Sequence, residues 1–164
     1  MSRPAANPIP EGFHSLTPMI VCKGAIEAID FYKRAFGAEE LTRLVAPCGS
    51  LLHASIRIGN SILMLTEECP QMGSRDPRTL GGSPVTIHLS VADVDAAFAR
   101  ATAAGATAIM PVSEMFWGAR YGVFTDPYGH SWSVATQVKD LSPAEIEANM
   151  RQAYEAQQAS AAAA

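Results

Sequence analysis

Residues 86–110 read TIHLSVADVDAAFARATAAGATAIM, and residues 121–136 read YGVFTDPYGHSWSVAT. The first run opens on an alternating segment, Thr86 to Val91, then places Val94, Ala97, Phe98 and Ala101 at helical spacing. Asp93 stands where an N-cap belongs and Gly105 where the helix stops. The second run alternates on both sides of Asp126-Pro127-Tyr128-Gly129, which is strong turn chemistry, and so reads as a hairpin. The same order occurs earlier, as TPMIVCKGAIEAIDFYKRAFGAEELTRL at 17–44 and LLHASIRIGNSILMLT at 51–66. Thr17 matches Thr86, Gly37-Ala38 matches Gly105-Ala106, Gly59 matches Gly129 and Thr66 matches Thr136, all at offsets of 68 to 70 residues. In this first copy Ile26, Ile29, Phe31, Tyr32 and Phe36 carry the helix, Gly37 ends it, and Gly59-Asn60 is the hairpin turn. Each copy therefore reads strand, helix, strand, strand, turn, strand.

The repeat predicts an α+β fold: two tandem βαβββ modules forming a cupped mixed sheet with helices outside, plus a C-terminal helix. Residues 1–11 are expected to be an N-terminal arm, 12–66 the first module, 67–84 a Pro/Gly-rich connector and 85–138 the second module. Residues 139–164 hold the last helix and an Ala-rich tail expected to fray. That helix begins at Ser142 as N-cap and Pro143 as first helical residue. Glu145 supplies the capping-box acid, and Leu141 with Ile146 the hydrophobic staple.

Alternation separates the two faces of the strands. Val85, Ile87, Leu89 and Val91 oppose Thr86, His88 and Ser90; Leu52, Ala54, Ile56 and Ile58 oppose His53, Ser55 and Arg57; Trp132 and Val134 oppose Ser131, Ser133 and Ala135. The apolar faces can receive the helices. The opposite faces are polar with little charge, as the inside of a ligand-sized cup would be, or a face that meets solvent or a partner subunit. Met115-Phe116-Trp117-Gly118-Ala119-Arg120-Tyr121 favours the cup, because exposed loops seldom hold so much aromatic surface without a use.

Composition bounds the function. The chain has 164 residues, 48% of them apolar and 17% charged, enough for a buried core and poor for disorder. A net charge of −4 with no basic run argues against nucleic acid and anionic membranes as partners, and no apolar run reaches the ~20 residues of a membrane span. Cys22, Cys48 and Cys69 are odd in number and lack metal-type spacing, which suits reduced thiols in a cytoplasmic protein. The start, MSRPAANPIPEG, has no apolar stretch of the signal-peptide kind.

Several of these residues occur together in a known family. The paired βαβββ units, Ala28-Ile29-Asp30-Phe31-Tyr32-Lys33-Arg34-Ala35-Phe36-Gly37-Ala38, His53-Ala54 with Arg57-Ile58-Gly59, and Asp126-Pro127-Tyr128-Gly129-His130 resemble the vicinal oxygen chelate superfamily of glyoxalases, bleomycin-resistance proteins and extradiol dioxygenases. The chain is most similar to its PhnB-like branch, through Gly81-Gly82-Ser83-Pro84 and the Trp117-Gly118-Ala119-Arg120 loop. The resemblance spans roughly residues 12–140 and implies a homodimer with sites in the clefts. It does not fix the chemistry, because the superfamily hosts isomerases, dioxygenases, thiol transferases and drug binders.

The resemblance also implies where a divalent ion would sit: one ligand on the first strand and one on the last strand of each module. Those positions hold Thr17, Leu63 or Met64, Thr86 and Ser133, none a normal ligand for such an ion. His88 lies two residues beyond Thr86, a shift of roughly 7 Å that a metal–nitrogen bond of about 2.1 Å cannot absorb. A relocated site would have to be built from His53, His88 and Glu114. Otherwise His53 and His88 are hydrogen-bonded groups lining the cup, or acid–base and orienting groups. Arg120 either clamps a ligand carboxylate or phosphate, or serves as scaffold by pairing with Glu114 or stacking on Trp117. His130 reads as a turn or surface residue. No cysteine has a histidine beside it in sequence and no serine sits in a nucleophile elbow, so covalent catalysis has no support in the sequence.

Three readings follow. The first is a metal-independent binder holding a small organic molecule in a cup lined by His53, Met64, Thr86, His88, Phe116, Trp117, Arg120, Tyr121 and Ser133, with no cofactor. The second is a metal-dependent lyase or dioxygenase using His53, His88 and Glu114. The third is a non-catalytic module whose cup is closed by its dimer partner.

Overall fold

A computed structural model of the chain describes residues 6–162; residues 1–5 of the expected N-terminal arm and 163–164 of the tail lie outside the described residues. The first module is β1 (Met19–Cys22), α1 (Ala25–Phe36), β2 (Glu39–Val45), β3 (Leu51–Ile58) and β4 (Ser61–Glu67). The second is β5 (Thr86–Ser90), α3 (Val94–Ala104), β6 (Thr107–Glu114), β7 (Ala119–Thr125) and β8 (Ser131–Gln137). Each module has its own four-stranded mixed sheet, ordered β1-β4-β3-β2 and β5-β8-β7-β6. In each the first strand runs parallel to the last, and the other pairings are antiparallel.

The predicted helix signals act as read. Gly37 takes the left-handed conformation and closes α1, while the Asp93 carboxylate accepts the Ala96 N–H at 2.9 Å to start α3. α1 begins differently. Gly24 has no side chain to cap with, so Glu67 at the end of β4 reaches across, and each of its carboxylate oxygens accepts one N–H, from Gly24 and Ala25, at 2.8 Å.

α1 packs on its own sheet and against α3, and its outer rings reach the second module. Tyr32 and Phe36 meet Trp132 at ring-centre distances of 5.6 and 4.7 Å, and Phe36 meets Phe124 at 6.0 Å. One hydrophobic core thus runs through both modules. The Asp126 turn is wired into it. Asp126 Oδ2 accepts from Tyr32 Oη at 2.6 Å and Trp132 Nε1 at 2.9 Å, and Oδ1 accepts the N–H groups of Tyr128 and His130. His130, expected on the turn surface, is instead buried: its Nε2 is bonded to Val21 O at 3.0 Å and lies 3.6 Å from Cys22 Sγ.

Alternation slips at the start of β3. Leu51 is 1% exposed and Leu52 61%, the reverse of the expected faces there. The register of β2 against β3 is irregular between Leu44, opposite His53, and Val45, opposite Leu51; this bulge turns Leu52 outward.

The connector carries more structure than its composition predicts: a 3-10 turn (Pro70–Met72) and a short helix α2 (Pro77–Leu80) with Asp76 as N-cap. Asp76 is buried and accepts from Thr79 N, Arg78 Nε and Lys23 N. Arg78 also donates to Lys23 O and Pro127 O, tying the connector to both modules. The last helix, α4 (Pro143–Ala162), starts on the predicted capping box, with Ser142 N–H donating to Glu145 at 2.7 Å. It continues to Ala162, into the segment expected to fray, as alanine's helix propensity allows.

Candidate functional site

The polar face of the second sheet carries a cleft of about 430 Å3. β5 pairs with β8 in a register that sets His88 beside Ser133 and Ser90 beside Ala135. Next along, β7 sets Tyr121 beside Ala135. His88 Nδ1 is 2.8 Å from the buried Ser133 hydroxyl, which fixes the imidazole from below. The Tyr121 ring lies nearly parallel to it at 6.2 Å, and Trp117 closes edge-on against Tyr121 at 5.6 Å. Val91, Ala119 and Gln137 complete the wall.

A glycine positions the tryptophan. Gly118 has φ of 86°, and its carbonyl accepts the N–H groups of both Val138 and Lys139. A Cβ there would lie 2.7 Å from Lys139 O, so only glycine lets the loop and the C-terminal segment approach this closely.

Of the nine residues expected in the cup, His88, Trp117 and Tyr121 border this cleft, and Ser133 supports His88. Thr86 lies one step along the same face, 3.1 Å from Ser131 Oγ. Phe116 stacks edge-on against Trp117 but faces a groove shared with α4, where Asn149 donates to its carbonyl. His53 and Met64 are on the other sheet, His53 Nε2 being 3.2 Å from Ser55 Oγ. Met64 is half-buried and Leu63 buried, so Met64 is the cup-side residue of that pair.

Arg120 is a correction. It neighbours Tyr121 on β7 and therefore points to the opposite face, where its guanidinium forms a two-pronged pair with Asp95 of α3 at 2.7 and 2.9 Å. It neither clamps a ligand in the cleft nor pairs with Glu114, whose carboxylate is bonded to Lys139.

His53, His88 and Glu114 are not gathered, and among the described residues no group of three or more His, Cys, Asp or Glu is placed to hold a metal ion. Of the positions at which the resemblance implies ligands, Met64 and Ser133 stand beside Met19 and His88 rather than Thr17 and Thr86, a set of two thioethers, one hydroxyl and one imidazole. That donor set does not fit a divalent ion.

Ser90, Val91, Ala119, Ala135 and Gln137 border the cleft without having been singled out. The signal for Ser90 was present in the alternation. The 69-residue offset likewise maps Met19 onto His88, and the pairs Met19–Met64 and His88–Ser133 occupy equivalent places in the two sheets.

A family profile described as the Glyoxalase/Bleomycin resistance protein/Dioxygenase superfamily matches residues 14–134. The chain belongs to this superfamily. An uncharacterized protein of Mycobacterium tuberculosis (strain ATCC 25618 / H37Rv) is 48% identical over 139 residues, 83% of this chain and 82% of that protein. Among solved structures, TioX from Micromonospora sp. ML1 is similar at 27% identity with a TM-score of 0.60, covering 75% of this chain and 98% of its own. The PhnB protein of Bacillus cereus shares the fold at 18% identity and a TM-score of 0.59, covering 75% and 99%. So does a FosX variant from Listeria monocytogenes solved with Mn(II), at 19% identity and a TM-score of 0.56, covering 74% and 86%.

Proposed function

We propose that this superfamily member binds a small organic molecule in the His88 cleft without the divalent ion many of its relatives use. The observation that carries the reading is the set of rings, His88, Tyr121 and Trp117, arranged around a cleft with His88 held by Ser133. Aromatic faces supply apolar contact area, while His88 Nε2, Ser90 and Gln137 offer polar contacts that would orient the ligand. A volume of about 430 Å3 falls within the usual range for small-molecule sites.

The complete site is proposed to form in a homodimer. The open faces and edges of the two sheets leave Met19, Leu44, Leu52 and Ile109 more than half exposed, more apolar surface than a lone subunit gains by keeping. Cys22, Cys48 and Cys69 are all free thiols, in keeping with a reducing cytoplasmic compartment.

The test is a thermal-shift screen of small organic compounds, since a ligand that prefers the native state raises its apparent stability. A hit should lose affinity about tenfold or more in both His88→Ala and Trp117→Ala; unchanged affinity would place the site elsewhere. Elemental analysis of protein purified without a nickel column should show no stoichiometric divalent ion. Sedimentation should give twice the 17.4 kDa chain mass.

A further inference from the structure

A second cavity lies where the modules meet. β1 and β5 are the end strands of their sheets, and between them, bounded also by the connector, is a cleft of about 280 Å3. Its wall is almost wholly apolar: Pro18, Ile20, Pro77, Leu80, Val85 and Ile87 line it. Leu80 and Val85 are each more than 60% exposed, so apolar surface reaches the rim. Only three of its side chains end in nitrogen or oxygen, those of Arg75, Ser83 and His130.

Two of these three are occupied within the chain. The Ser83 hydroxyl donates to Val85 O at 2.8 Å, and His130 Nε2 is bonded to Val21 O at 3.0 Å. The neighbouring cation Arg78 is likewise consumed, by Asp76 and the carbonyls of Lys23 and Pro127. Arg75 is not: among the described residues its guanidinium takes part in no hydrogen bond or ion pair. The cleft is therefore an apolar slot with one uncommitted, strongly hydrogen-bonding cation, and its complement is a small apolar body ending in a planar anion.

We propose that this cleft is a binding site, separate from the His88 cleft, for a small amphipathic carboxylic acid. The alkyl or aryl body lies between the β1 and β5 edges, and the carboxylate meets Arg75. At roughly 30 Å3 per water the cavity displaces about nine waters, so the acid is of medium-chain size rather than a long lipid.

Octanoate and octan-1-ol are the probes, titrated calorimetrically into the purified full-length chain. Octanoate should bind saturably, one per chain, and octan-1-ol at least about tenfold more weakly. Arg75→Gln should weaken octanoate about tenfold and abolish its advantage over the alcohol. Val85→Trp, at an exposed rim position that tolerates bulk, should block both ligands while circular dichroism stays native. His88→Ala and Trp117→Ala should leave octanoate binding as it is, which separates this site from the one proposed above. The proposal is overturned by equal binding of acid and alcohol, by unchanged octanoate affinity in Arg75→Gln, or by no saturable binding. It is overturned equally if His88→Ala weakens octanoate as much as Arg75→Gln does.

Discussion

Asp126 accepts four hydrogen bonds, and the two that come from side chains arrive from different modules: the Tyr32 phenol on α1 and the Trp132 indole on β8. Each is buried, so removing the acceptor leaves donors without partners. Asp126→Ala should destabilise by about 2–4 kcal/mol, measured by urea unfolding. Tyr32→Phe, which keeps the ring, should lose only about 1–2 kcal/mol. Burial raises the Tyr32 phenol above its ordinary value, and the Asp126 charge adds to this. Burial does the same to the Cys22 thiol, followed by the charges of Asp126 and Asp76. Both groups are acids whose folded values lie above their unfolded ones. Their contribution is complete below the ordinary thiol and phenol values of about 8.5 and 10, and is lost as pH rises beyond them. Unfolding followed from pH 8 to 11 should show falling stability, with a shallower slope in Tyr32→Phe. The same burial disfavours the Cys22 thiolate beside His130.

At the scale of elements, α1 and the cleft loop each depend on a residue outside them. Glu67→Ala removes both acceptors at the N-terminus of α1 and should lower stability by about 1–2 kcal/mol, a fall of roughly 2–8 °C in Tm. Gly118→Ala forces a left-handed residue and a clash with Lys139 O. It should cost more than 1 kcal/mol and move Trp117, visible as a shift in tryptophan fluorescence. The elements themselves were legible in the sequence because their signals are local: the Asp93 cap, the Gly37 stop and the Ser142 capping box each act within a few residues. Glu67 was not legible. Its partners are more than 40 residues away, and nothing at Lys23-Gly24-Ala25 announces a borrowed cap. The proposed site divides along the same line. Alternation placed His88 and Ser133 on one face, and the aromatic loop pointed to Trp117 and Tyr121. Arg120 was misplaced because one residue along a strand is a change of face, and its partner Asp95 lies on a helix that strand alternation does not describe. His130 was misread because a turn position normally means solvent, whereas this turn is pressed against β1 of the other module.

For the whole molecule, acid is the other side of the pH range. Bonds from Arg43, then Lys33, hold the Glu40 carboxyl down at about 2. Burial opposes ionisation of Asp76, but bonds from Thr79, Arg78 and Lys23 outweigh it and keep that carboxyl below its ordinary value too. A carboxylate depressed in the fold stabilises above its unfolded value and loses that contribution as pH falls toward the folded one. Stability should therefore decline between about pH 5 and pH 2, and Asp76→Asn should flatten part of that decline while lowering stability at neutral pH. The shared core has a further consequence. α1 belongs to the first repeat in sequence, yet its rings cover Phe124 and Trp132 of the second. Neither repeat owns a finished interior. The two repeats should therefore unfold as a single cooperative unit, with slow-exchanging amides of β3 and β8 released together by one opening event.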